Sequence, residues 1–191
     1  MTIQVQTAVA GTPALTERRV LAVLLGTALV SLAAQVSVPL PGTPVPMTLQ
    51  PLAVLIVGGL LGPGLGAASL LLYLAVGAAG APVFTPSAVL PPGLGRLFGP
   101  TGGYLLAYPL AAYVVGRIAG DGRRWARVAL GAFAGLVLIH LGGLAQLVLI
   151  TGMAGQAARL GTVPFLIGDA AKLLLATLTL RHTITPLRAR L

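Results

Sequence analysis

Asp169 and Lys172 are the residues of this chain whose types and spacing are best suited to chemistry. Lys172 is the only lysine and Asp169 is one of three acidic residues, yet both lie in the otherwise lipid-compatible run from Val163 to Leu180. If that run is helical, the two stand at i and i+3, on one face and within reach of each other, and Phe165 and Ala176 extend the face. A charge near the membrane midplane costs about 2.5–3.5 kcal/mol on insertion scales, so such side chains turn toward a polar cavity or toward one another. A carboxylate acceptor beside an ammonium donor suits a ligand that carries both donors and acceptors. The plainer alternative is an ion pair that locks two helices.

Other chemistries are poorly supplied. The absence of cysteine excludes disulfides, thiolate metal sites and cysteine nucleophiles, and two histidines, His140 and His182, are too few for a histidine metal cage. No metal site is therefore expected. A serine or threonine nucleophile needs a base, and His140 has no acidic partner near it in sequence. It reads as a buried packing or hydrogen-bonding residue. An intramembrane enzyme would need a second carboxylate or a histidine beside Asp169, and none is visible. Asp121-Gly122-Arg123-Arg124-Trp125-Ala126-Arg127 has the outline of the phosphatidyl-alcohol transferase signature, but its Ala-Arg falls one residue late and no aspartate follows until Asp169. A two-metal carboxylate site cannot be built from Asp121 alone.

The composition defines the elements that must position these residues. Of 191 residues 57% are hydrophobic and 8% charged, and the mean hydropathy is +0.98. That profile belongs to a multi-spanning membrane protein, all-α and of a single domain. The net charge of +9 comes from arginines in small groups between apolar runs, as topology-setting charges are, which argues against nucleic acid as a partner.

Residues 1–19 read as a polar lead, residues 20–182 as the transmembrane domain and residues 183–191 as a basic cytoplasmic tail. Apolar runs fall at Val20 to Val38, Leu52 to Leu61, Leu65 to Ala81, Gly102 to Ile118, Ala126 to Ile150 and Val163 to Leu180. Gly62-Pro63-Gly64 separates the second from the third, and the second is short for a core of about 30 Å. Six crossings place nine arginines (18, 19, 117, 123, 124, 127, 181, 188 and 190) on one side and leave Arg96 and Arg159 on the other. Five crossings would set the positive clusters against each other. Six transmembrane helices with both termini cytoplasmic is thus the expected topology, in a cell (inner) membrane, with Asp169 and Lys172 in the outer half of the last span.

The outer connections are the longer ones and are expected to build the binding surface. The uncharged, proline-rich stretch Pro39 to Pro51 reads as a stiff lid with Gln50 near its end. The loop from Pro82 to Pro100 carries Phe84 and Arg96. Thr101-Gly102-Gly103-Tyr104 offers a hydroxyl, free amides at a helix start and an aromatic face. In the first span Ala22 and Gly26 form a small-xxx-small pattern fit for a close helix contact.

Val45-Pro46-Met47-Thr48-Leu49-Gln50-Pro51-Leu52, Gly62-Pro63-Gly64-Leu65-Gly66 with Leu72-Tyr73-Leu74, Pro82-Val83-Phe84, Gly99-Pro100-Thr101-Gly102-Gly103-Tyr104 and Gly168-Asp169-Ala170-Ala171-Lys172 together resemble the BioY family. These are the biotin-specific substrate-capture subunits, or S components, of energy-coupling factor (ECF) transporters. The resemblance runs from about Val20 to Leu180. It implies a six-helix S-component bundle without catalytic activity or cofactor, holding biotin in an outward-facing pocket. It also implies partners: a transmembrane coupling subunit, contacted through small residues such as Ala22 and Gly26, and two ATP-binding-cassette ATPases that alone hydrolyse ATP. The chain itself has no Walker-type lysine loop.

On that resemblance Asp169 accepts from a ureido N–H and Lys172 donates to the ureido carbonyl or to the valerate carboxylate. Phe84, Phe165 and Tyr104 pack the rings, and Thr101, the Gly102 amide and Gln50 complete the polar contacts. Arg96 or Arg159 is available as a clamp on the carboxylate. An S component for thiamine or riboflavin would ask for more aromatic surface than 5% aromatic residues offer.

Overall fold

The computed structural model describes residues 13–87 and 89–188. Six α-helices make up most of it: α1 (Pro13–Gln35), α2 (Gln50–Ala78), α3 (Gly102–Ala119), α4 (Trp125–Thr151), α5 (Ala154–Gly161) and α6 (Leu166–Arg188). Two-residue strands β1 (Ser37–Val38) and β2 (Met47–Thr48) pair antiparallel, Ser37 with Thr48 and Val38 with Met47, so the proline-rich loop between α1 and α2 is a small hairpin. Three helical stretches are long and apolar enough to cross a membrane: Gln50–Ala78, Trp125–Thr151 and Ala154–Arg188. The outward surface is apolar too. Ile167 is 90% exposed and Leu149 85%, a pattern that water would penalise and lipid does not.

α2 is one element only in name. Gly62 has φ 82° and ψ 178°, an extended positive-φ conformation open essentially to glycine, and Pro63 follows it without a backbone N–H. The chain reverses there. A Cβ built on Gly66 would stand 3.0 Å from the Gly58 Cα, whereas eight residues of straight helix span about 12 Å. At the far end Gln50 Nε2 donates to the Tyr73 hydroxyl at 2.6 Å. Residues 50–61 and 63–78 are therefore two short rods side by side, here α2a and α2b.

α3 crosses the break directly: a Cβ on Gly116 would lie 2.5 Å from Gly62 C and Pro63 N, and one on Gly58 2.5 Å from the Ala112 carbonyl oxygen. Arg188 covers the turn. Its guanidinium donates to the carbonyls of Leu60, Gly59, Gly116 and Gly120, which are helix-end acceptors that lack intrahelical partners or lie beside the break. This contact and the Gln50-Pro51 helix start hold the two ends of so short a helix as α2a.

Two helix boundaries and one contact differ from the sequence reading. α1 begins at Pro13, so residues 13–19 are helix rather than lead, and residues 1–12 lie outside the described ones. α6 continues to Arg188, so most of the supposed tail is its last turns, tied down by Arg188; residues 189–191 also lie outside. Ala22 and Gly26 are buried inside the chain, and a Cβ on Gly26 would meet Ser69 Oγ at 2.6 Å. The small pair thus serves first to seat α1 on α2b, although both residues also line an apolar groove with Leu25 and Leu61.

Buried apolar residues form two clusters. One, with Val54, Leu70, Tyr73, Tyr104, Tyr108 and Phe165, underlies the hairpin end of the molecule. The other, with Leu55, Val115, Val128, Leu180 and Ile184, fills the end near Arg188.

Candidate functional site

Asp169 opens the first turns of α6 and Lys172 follows one turn later, as the i, i+3 spacing predicts. Lys172 Nζ donates to Asp169 Oδ1 at 2.8 Å, and both residues are buried. The second carboxylate oxygen is also taken. His140 Nε2 of α4 lies 2.7 Å from Asp169 Oδ2, although 29 residues separate the two in sequence. His140 in turn sits against Tyr104 and Phe165, ring centroids 6.2 and 6.5 Å away.

These residues line a recess of about 560 Å³ counted out to its mouth, within which the enclosed cavity is about 50 Å³. That enclosed cavity is well below the about 300–1,000 Å³ of a small-molecule site. Its interior is nearly closed by side chains, so an occupant must part them. α6 supplies Asp169 and Lys172, α4 supplies Ile139 and His140, and α3 supplies Tyr104, Leu105 and Tyr108. Val45 and Pro46 of the hairpin form part of the rim, and Thr43 ties the hairpin down by donating to the Leu160 carbonyl at 2.6 Å.

The loop before α3 brings in Phe84, Thr85 and Arg96. Arg96 is 5% exposed, on the 3-10 turn Leu94–Leu97, with Nη1 donating to the Leu90 carbonyl and Nη2 to the Thr85 carbonyl. Its Nε is buried with no partner. Burial lowers the Arg96 pKa, yet a guanidinium remains a cation at neutral pH. Asp169 and Lys172 cancel, and Asp169 is the only carboxylate among the described lining residues. Arg96 therefore leaves one positive charge uncompensated.

Of the residues singled out in sequence, Asp169, Lys172, Tyr104, Thr101, Phe84, Phe165 and Gln50 all line the recess. Gln50 is engaged within the protein: Nε2 donates to Tyr73 and Oε1 accepts from Thr85 at 2.7 Å and from Thr48 at 3.3 Å. It holds the Arg96 loop to α2. The Tyr104 hydroxyl likewise donates to the Gly161 carbonyl, leaving its ring as the pocket-facing part.

Gly102 does not serve as expected. Its amide donates to the Gly99 carbonyl, and a Cβ there would fall 1.9 Å from the Leu97 oxygen, so it is a packing glycine. Gly103 belongs to the α3–α4 contact in the same way, 2.2 Å from the Gly142 oxygen by the same measure. Arg159 is exposed on α5 and outside the recess, whereas Arg96 is not the solvated loop residue it could have been.

His140 and Tyr108 were missed as site residues. The histidine beside Asp169 is the feature that an enzyme reading required. It is not a catalytic dyad with a nucleophile: Nε2 is occupied by Asp169, and Nδ1 is buried without a hydrogen-bond partner.

A helical bundle with an apolar outer surface and a closed recess of convergent donors and acceptors defines a membrane protein that binds a small molecule. The BioY family model matches residues 6–189, and the chain belongs to the BioY family. Among its relatives, the probable biotin transporter BioY of Pyrococcus horikoshii is 42% identical over 150 residues, 78% of this chain and 86% of that protein. The biotin transporter BioY of Thermotoga maritima is 37% identical over 152 residues, 80% of this chain and 87% of that one. The crystal structure of an S-component for biotin from an ECF-type ABC transporter has the same fold, with a TM-score of 0.80, 23% identity, and coverage of 90% of this chain and 93% of that one.

Proposed function

We propose that this chain is the biotin-binding S component of an ECF uptake transporter. Family membership supports the class, and the uncompensated Arg96 charge in the same recess as the Asp169–Lys172 pair is the observation that carries the ligand. Biotin offers two ureido N–H donors and a carbonyl acceptor at one end and a carboxylate at the other. Asp169 accepts from the ureido N–H, Lys172 donates to an acceptor oxygen, and the free Nε–H of Arg96 pairs with the carboxylate. A cationic vitamin such as thiamine would meet the wrong charge.

The chain binds and does not catalyse. It needs no cofactor, and ATP is hydrolysed by two ATPases acting through a transmembrane coupling subunit. The apolar groove around Ala22 and Gly26 is the surface proposed for that coupling subunit. The reversal at Gly62 supports six crossings of a cell (inner) membrane, with α1, α2a, α2b, α3, α4 and α6 as the spans. Arginine placement supports cytoplasmic termini and an outward-facing pocket.

Calorimetric titration of the detergent-solubilised chain with biotin, thiamine and riboflavin tests the reading. Biotin alone is expected to bind. Arg96→Gln is expected to weaken biotin by about tenfold or more while changing biotin methyl ester little, since a hydrogen bond to a charged group contributes about 1.5–3 kcal/mol. A folded sample that gives no heat with biotin overturns the assignment.

A further inference from the structure

The His140–Asp169 contact has no counterpart in the sequence motifs and no task in the reading above. A carboxylate offers about four lone-pair positions. Lys172 takes one on Oδ1 and His140 one on Oδ2, which leaves a single position on each oxygen and fixes the plane of the group. Because ionised Asp169 can only accept, the shared proton belongs to Nε2. His140 Nδ1 is buried and makes no hydrogen bond, so Nε2 is the one ring nitrogen that engages a partner.

The surroundings make that donor hard to replace. Among the described residues, it is the only side-chain hydrogen bond between α4 and α6. His140 and Asp169 also line a second recess between these helices, whose other walls are apolar apart from Thr162, and include Phe133, Val137, Leu141, Leu166 and Leu173. Without the Nε2–H, Asp169 Oδ2 would face a side whose one other polar side chain, Thr162, makes no hydrogen bond to it, and the carboxylate would rotate toward Lys172 or take up a proton.

We propose that His140 is a ligand-positioning residue that keeps Asp169 a bare, oriented acceptor, and that it thereby makes the site select ligands presenting N–H donors. The inference rests on the biotin reading. If wild-type protein fails to bind biotin, that reading falls; if it binds and the outcomes below fail, only the role of His140 falls.

The test compares biotin with an analogue methylated on its ureido nitrogens, by titration of the full chain, with melting temperature followed in parallel. His140→Gln retains an N–H near the same place and is expected to stay within about threefold of wild type and to keep the preference for biotin. His140→Leu, and His140→Asn whose amide is too short to reach, are expected to bind biotin about tenfold or more weakly and to lose most of that preference. In an Asp169→Asn background the same His140 changes are expected to add less than about twofold, because the group that they position is gone.

Equal costs in both backgrounds, or a His140→Leu protein as selective as wild type, would assign His140 to packing alone and overturn the proposal. A second measurement needs no variant: nitrogen-15 spectra of the His140 ring should report the Nε2–H tautomer with and without biotin. Protonation at Nδ1 alone would equally refute it.

Discussion

Asp169 and Lys172 stabilise one another only while both are present, because each is a charge removed from water. Removing one partner of a buried pair costs about 3–5 kcal/mol, and exchanging both for neutral groups costs far less. Asp169→Asn and Lys172→Met are each expected to weaken biotin binding by about tenfold or more, still within reach of titration, and to lower the melting temperature. The double variant should bind no better than either single one yet melt closer to wild type, and a double variant no more stable than either single one would refute the pairing. These two residues were legible in sequence because rarity and i, i+3 spacing are one-dimensional facts. His140 was not, since its partner lies on another helix and no sequence pattern sets the register between α4 and α6. Arg96 was visible as a charge in a loop, but whether that loop folds inward depends on Gln50, Tyr73 and Thr85 meeting across α2. Gly102 shows the converse failure: a glycine at a helix start suits an exposed amide and a tight contact equally well, and only the neighbour, the Leu97 carbonyl, decides.

Elements behave likewise. The Gly62-Pro63 break was legible because that pair cannot continue a helix, whereas the inward packing of Gly26 was not. Gly62→Ala places a Cβ in ordinary contact with Arg188 but in a backbone region that costs about 1–3 kcal/mol for an L-residue. A melting temperature lowered by several degrees is the expected reading, and an unchanged one would mean that the turn is not held in this conformation. The hairpin over the recess is the other testable element. Thr43→Val removes its hydrogen bond to the Leu160 carbonyl, and biotin should dissociate about two- to tenfold faster with little change in melting temperature. Stopped-flow release that matches wild type would exclude the hairpin as a barrier to exit.

At the scale of the molecule, function and stability occupy opposite ends. The recess, hairpin and charged side chains gather over one apolar cluster, and the other cluster closes around Arg188. Arg188→Met should therefore cost at least about 2 kcal/mol of stability by leaving carbonyls of α2a and α3 without a donor, while biotin affinity in the protein that remains folded stays within about twofold. Lysine at the same position keeps the charge but not the fork and should restore only part of the loss. Equal loss of affinity and stability would contradict this division.

Arg188 also sets an order of events during synthesis. The Gly59 and Leu60 carbonyls that it covers emerge from the ribosome more than a hundred residues before it does, 129 and 128 positions ahead. On the six-span topology proposed above, the broken α2 hairpin enters the bilayer before α6 is made, with bare acceptors that only water or the insertion machinery can satisfy. The nascent chain is thus most vulnerable to quality-control proteolysis between insertion of its second rod and arrival of its last, and ribosome-stalled chains ending before and after Arg188 should differ sharply in protease resistance.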